Sequence, residues 1–98
     1  PGYAESKGGI KSLTMLMANE LGKHNICCNA IAPGYIATEN TRPIRENMDR
    51  NQAILDRIPA GRWGTPDDLM GIVVFLASPA SDYMNGYTVA VDGGWLAR

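Results

Sequence analysis

The sequence predicts an α/β chain built on a parallel sheet, and three observations carry that prediction. Apolar residues at Ile10, Leu13, Leu16, Met17 and Leu21 recur at helical spacing, which marks a long amphipathic helix. The run Ile26-Cys27-Cys28-Asn29-Ala30-Ile31-Ala32 has the near-continuous apolar character of a strand buried on both faces, the pattern of parallel sheets. A second helix opening at Thr65-Pro66 leads into a second strand, Tyr87 to Val91. Strand, helix and strand then make one βαβ crossover, expected to be right-handed.

Taken in order, the first helix should run from about Tyr3 to Leu21, with Gly22 as the left-handed residue that stops it. Lys23, His24 and Asn25 form a polar turn, and His24 reads as a solvated turn residue. In the strand that follows, Asn29 is the polar exception, expected to hydrogen-bond a neighbouring loop. Pro33-Gly34 ends the strand and opens the loop Tyr35-Ile36-Ala37-Thr38. From Glu39 to Arg62 the chain is polar, with a short helix after Pro43 and another over Gln52 to Ile58, closed by Pro59. Thr65 caps the next helix, Pro66 takes its first position and Asp67 and Asp68 its first turn. That helix reaches about Ala77 before Ser78-Pro79; after the last strand, Asp92-Gly93-Gly94 turns the chain into the tail Trp95-Leu96-Ala97-Arg98.

Two placements suggest chemistry. Tyr3 and Lys7 stand four residues apart, so both side chains leave one side of the first helix, one turn apart. A nearby ammonium favours the phenolate and lowers a tyrosine pKa that starts near ~10, which suits proton transfer. An ordinary helix pair with Lys7 solvated is the plain alternative. The loop after Pro33-Gly34 leaves the carboxyl end of a strand, where open α/β sheets bind ligands; Gly34 permits close approach of backbone, and Thr38 offers a hydroxyl. The polar stretch 39–62 reads as a lid above that loop, or as a solvated connection.

Composition bounds the rest. The chain has 98 residues, 45% hydrophobic and 19% charged, which is a globular balance. A net charge of −1 gives no reason to expect nucleic acid or an anionic membrane as partner. No apolar run is long enough to span a bilayer. The adjacent Cys27 and Cys28 would point to opposite faces of a strand, so they are expected to be small reduced core residues of a cytoplasmic protein, and no metal site is expected. The chain opens at Pro1, not methionine, directly at the suspected catalytic helix, which suggests a fragment.

Together the motifs resemble the C-terminal portion of the short-chain dehydrogenase/reductase family, a doubly wound, Rossmann-like fold. The carrying pieces are Y-A-E-S-K at Tyr3 to Lys7, N-A-I-A-P-G at Asn29 to Gly34 and Thr38 four residues later. G-T-P-D-D-L at Gly64 to Leu69, V-F-L-A-S at Val74 to Ser78 and V-D-G-G-W at Val91 to Trp95 complete the set across the whole chain. P-G-Y-I-A-T-E-N-T, I-L-D-R-I-P-A-G-R-W-G and D-G-G-W-L-A-R are similar to the subgroup of 2-deoxy-D-gluconate 3-dehydrogenases, also described as 2-dehydro-3-deoxy-D-gluconate 5-dehydrogenases of uronate breakdown.

The resemblance implies an NAD-dependent oxidoreductase acting on a small keto-deoxy sugar acid, working as a homotetramer. Tyr3 would be the general acid/base and also a cofactor contact, and Lys7 would lower its pKa and bind the nicotinamide ribose. Pro33, Gly34, the backbone at Ile36 and the hydroxyl of Thr38 would hold the nicotinamide carboxamide. Tyr35, Arg42 and Arg45 are the candidates to meet the substrate, with Arg50 a further cation in the same stretch; exposed surface charge is the alternative for these arginines. The family's glycine-rich phosphate loop, ribose selector and catalytic serine would lie upstream of Tyr3, so the dinucleotide-binding half is expected to be absent and the core incomplete. Two rivals stand beside this reading: a 3-oxoacyl-acyl-carrier-protein reductase using NADPH, and a non-catalytic module acting only in assembly.

Overall fold

The computed structural model describes the backbone of residues 2–97 and the side chains of residues 8–97. The principal elements are α1 (Gly2–Leu21), β1 (Ala30–Pro33), α2 (Arg42–Glu46), α3 (Met48–Arg57), α4 (Met70–Leu76) and β2 (Thr88–Val91). β1 and β2 pair in a two-stranded sheet. The Ala30 N–H donates to Tyr87 O at 2.9 Å and the Gly34 N–H to Val91 O at 3.0 Å. Both partners advance together along their strands, so the pair is parallel, as the crossover pattern requires. The chain separates into two compact units, one made of residues up to Ile31 with Ile72–Val89, the other of Ala32–Gly71 with Ala90 onward.

In the first unit, α1 packs on a stripe of small residues. Thr14 and Ala18, one turn apart, are buried, and the Thr14 hydroxyl donates back to Ile10 O at 2.7 Å. The Asn85 amide donates to Ala18 O at 3.2 Å, and a side chain on Gly86 would stand 3.2 Å from the Ala18 methyl. Gly86 also carries a φ of 77°, so space and backbone both call for glycine there. Most of the apolar spacing read as the buried face is exposed instead: Ile10, Leu13 and Leu16 are each more than half accessible and Met17 is also exposed, while Leu21 is half-buried. The physical reason is that the 85–86 turn meets the chain at Ala18 and, past the helix end, at Gly22, and leaves those apolar side chains uncovered.

Three local expectations are corrected. Gly22 does not end α1 as a left-handed residue; a 3₁₀ turn, Gly22–His24, follows, and Asn25 takes φ 61° while its N–H donates to Gly22 O. Asparagine tolerates that region well enough to serve as the cap. The strand expected over residues 26–32 is β1 at Ala30–Pro33, and it is half-buried with an exposed end, not buried on both faces. One pairing strand covers only part of it. Cys27 is exposed and Cys28 half-buried, both as free thiols, so neither is the core residue expected. Residues 28–29 are tied by side chains: Cys28 N–H donates to Asn85 Oδ1 at 2.8 Å, while the Asn29 amide donates to Met84 O at 3.1 Å and accepts from Tyr87 N–H at 3.0 Å. Asn29 thus has the loop-bonding role expected of it.

In the second unit, α2 begins at Arg42 with Pro43 inside its first turn, and α3 starts earlier than expected, because the Asn47 side chain accepts from Arg50 N–H at 3.1 Å and caps it. Ile58, just past α3, is the buried apolar residue here. At Thr65, Pro66–Leu69 forms a 3₁₀ turn before α4. The Asp68 carboxylate accepts from Thr65 N–H at 2.8 Å, the reciprocal arrangement of a capping box.

Candidate functional site

The loop that leaves β1 is fixed on two sides. On one side Gly64 lies alongside Ile36 as a parallel bridge: Gly64 N–H donates to Tyr35 O and Ala37 N–H to Gly64 O, both at 2.8 Å. A side chain at Gly64 would come within 2.7 Å of the Ile36 δ-methyl, the movable end of that side chain. Peptide groups in an extended segment alternate sides, so the N–H and C=O of Ile36 point away from Gly64. There the Ile36 carbonyl accepts from the Thr41 hydroxyl at 2.9 Å. No partner for the Ile36 N–H is found among the described residues.

On the second side stands the turn Glu39–Thr41 with α2 behind it. Thr38 N–H donates to the Thr41 hydroxyl at 3.0 Å. The Thr38 carbonyl accepts from Thr41 N–H at 3.2 Å and from Arg45 Nη2 at 2.7 Å. The Thr38 side chain itself is exposed.

Gly34 has a reason other than ligand approach. A β-carbon there would meet Asp92 Cα and Cβ at 2.7 Å, so the close contact it allows is with the chain's own turn. Tyr35 stands in an aromatic cluster, its ring centroid 4.8 Å from that of Trp95 and 5.4 Å, edge-on, from that of Trp63. Arg57 stacks over Trp95 at 4.1 Å, and Trp63 Nε1 donates to Asn51 Oδ1 at 2.6 Å. Tyr35, Ile36, Ile58, Arg62 and Asp92 line a cleft of about 150 Å³ beside this cluster.

Arg62 donates twice to Asp68, at 2.8 and 3.1 Å. Those hydrogen bonds, then the one from Thr65 N–H, hold the Asp68 carboxyl well below the usual carboxylate range, and Asp68 in turn raises Arg62. The arginines expected to meet substrate have partners within the chain. Arg42 pairs with Glu39 at 2.7 Å and Glu46 at 3.8 Å on the surface, and Arg45 holds the Thr38 carbonyl. Tyr3 and Lys7 lie on the α1 backbone; their side chains fall outside the described residues. Thr41, Gly64, Trp63 and Trp95 were not singled out as site residues from sequence. The T-E-N-T spacing of Thr38 and Thr41, which suits reciprocal hydrogen bonding across one turn, is the signal that could have found Thr41.

Among the described residues, no helix is long and apolar enough to cross a membrane, and no group of three His, Cys, Asp or Glu side chains is placed to hold a metal.

Residues 1–96 match the family model described as enoyl-(acyl carrier protein) reductase. All 98 residues align at 67% identity with 2-dehydro-3-deoxy-D-gluconate 5-dehydrogenase of Escherichia coli K12, spanning 39% of that protein's length. A structure described as a 2-deoxy-D-gluconate 3-dehydrogenase of Agrobacterium tumefaciens, with bound NADP, superposes with a TM-score of 0.97 at 55% identity over the whole chain and 40% of its own. A 4-hydroxyisoleucine dehydrogenase complexed with NADH superposes with a TM-score of 0.94 at 35% identity, over 98% of this chain and 40% of its own. The matched model, the likeness to relatives over the full chain and the parallel strand pair agree: the chain belongs to the short-chain dehydrogenase/reductase family.

Proposed function

We propose that this chain supplies the proton-transfer residues and the nicotinamide-side loop of an oxidoreductase acting on a keto-deoxy sugar acid. The observation that carries the reading is the loop after Gly34. Its backbone is held from both sides, while the Ile36 N–H points away from Gly64 and the Thr38 side chain is exposed. A donor N–H and a hydroxyl two residues apart on a fixed loop suit a carboxamide, so the residues present fit a nicotinamide dinucleotide. When bound, that group supplies or accepts the hydride.

The remaining roles belong to the chain's own side chains. In this reading Tyr3 gives a proton to the carbonyl oxygen on reduction and takes it back on oxidation. Lys7 keeps the phenol acidic and serves the ribose. Pro33 and Gly34 set where the loop begins. Residues 39–62, with two short polar helices, act as the lid, and Tyr35 and Arg42 are candidates to face substrate. NAD(H) is proposed on the subgroup resemblance; the likeness solved with NADP makes NADP(H) the competing arm. A cytoplasmic location and a homotetramer are part of the same reading, on resemblance alone.

Because the chain spans 39% of its E. coli relative, the test is a hybrid in which it replaces the matched 98 residues of that protein. The hybrid should bind a nicotinamide dinucleotide saturably and oxidise 2-dehydro-3-deoxy-D-gluconate at its C5 hydroxyl, read by the rise in absorbance as the dinucleotide is reduced. A cooperatively melting hybrid that binds neither NAD(H) nor NADP(H) would refute the reading.

A further inference from the structure

Resting on this reading of the loop, we propose that Thr41 and Arg45 are positioning residues for cofactor binding, and that Arg45 is not a substrate contact. The Thr41 hydroxyl is saturated. It accepts from Thr38 N–H at 3.0 Å and from Arg45 Nε at 3.4 Å, and donates to Ile36 O at 2.9 Å. Arg45, one helical turn beyond, also donates to Thr38 O at 2.7 Å. These two side chains therefore grip the Ile36 carbonyl and both polar groups of the Thr38 backbone. Gly64 grips Tyr35 O and Ala37 N–H from the opposite side.

What the clamp fixes is the relation between the Ile36 N–H and the Thr38 side chain, the two donors offered to the carboxamide. Ordering a loop residue costs conformational entropy, so a loop ordered before binding holds its ligand more tightly. The Arg45 guanidinium uses two of its donors on this task, on Thr41 and on the Thr38 carbonyl. A guanidinium held at a backbone carbonyl is poorly placed to reach out for a carboxylate.

The hybrid enzyme separates the two roles. Thr41→Val keeps the shape and removes the hydroxyl, whereas Thr41→Ser keeps the hydroxyl; Arg45→Met removes the charge, and Arg45→Lys leaves one donor for Thr38 O. Dinucleotide Kd is read by fluorescence titration, and sugar-acid KM is read at saturating dinucleotide. Thr41→Val and Arg45→Met should each weaken dinucleotide binding about tenfold, the scale of one lost charge-assisted hydrogen bond, with sugar-acid KM within about twofold. Thr41→Ser should restore most of the affinity, which general destabilisation would not produce. The proposal is overturned if Kd is unchanged in both variants, or if Arg45→Met raises sugar-acid KM tenfold while dinucleotide Kd stays fixed. An unsubstituted hybrid that binds no dinucleotide defeats the functional reading itself, and this proposal with it.

Discussion

Substituting Gly34 by alanine tests how closely β1 and the Asp92 turn are fitted. The added methyl would lie 2.7 Å from Asp92 Cα and Cβ and 3.2 Å from Asp92 O. Carbon atoms in contact normally sit about 3.5–4.0 Å apart, so the overlap approaches 1 Å. Most of it falls on backbone, which cannot rotate away. Asp92 is itself held, with its carboxylate accepting from Gly94 N–H at 2.9 Å and Leu96 N–H at 3.2 Å. Beyond it, Gly94 with φ 97° is already close against Pro59. Relief must come from opening the strand pair where Gly34 N–H meets Val91 O. Overpacking of this kind costs about 1–3 kcal/mol. The E. coli relative is about 250 residues long, given that 98 residues are 39% of it. For that size each kcal/mol moves the melting temperature by about 2–4 °C, so a loss of about 2 kcal/mol gives a drop of roughly 4–8 °C. Thermal unfolding of the hybrid with and without the substitution reads this directly. A melting temperature unchanged within about 1 °C would show that the turn yields freely and that Gly34 is not required for space.

Two further outcomes are expected in the hybrid. Asp68 is held below its ordinary value in the folded chain, so its contribution to stability is present above the unfolded carboxylate pKa near ~3.9 and is lost as pH falls from there toward the depressed folded value. The stability gap between the parent hybrid and Asp68→Asn should therefore be widest near neutrality and close as pH drops below about 4; a constant gap in denaturant titrations across that range would contradict the assignment. Lys7→Met should weaken dinucleotide binding and slow turnover together, since one ammonium serves ribose and phenol, whereas unchanged affinity by titration would leave Lys7 a purely electrostatic role.

How much of this was legible in sequence depended on how local the physics was. Thr65-Pro66-Asp67-Asp68 announced a helix start because cap and carboxylate lie within one turn of each other. The buried-amide rule found the Asn29 hydrogen bonds, and the alternation of helical and strand patterns found the parallel pair. Asn25 replaced Gly22 as the left-handed residue because both types tolerate that backbone and nothing nearby in sequence chooses between them. α3 starts earlier than the pattern of apolar residues suggests because Asn47 caps it, and one asparagine in a polar stretch does not stand out as a cap. Site chemistry was harder to see. The acceptors that occupy Arg45 are a backbone carbonyl and a threonine hydroxyl, and a carbonyl leaves no mark in a sequence. The gathering of Tyr35, Trp63 and Trp95 depends on contacts across long stretches of chain, which no periodicity records.

The most direct test of the central claim is the turnover of the Tyr3→Phe hybrid with a 2-dehydro-3-deoxy-D-gluconate-type substrate, measured beside its dinucleotide affinity. Removing one phenolic oxygen leaves the ring and deletes the proton-transfer group. General acid/base catalysis is typically worth ~10²–10⁴-fold, so kcat should fall by about that factor while dinucleotide Kd stays within about threefold of the parent. A Tyr3→Phe hybrid that keeps near-normal kcat would remove Tyr3 from the chemistry and contradict the account.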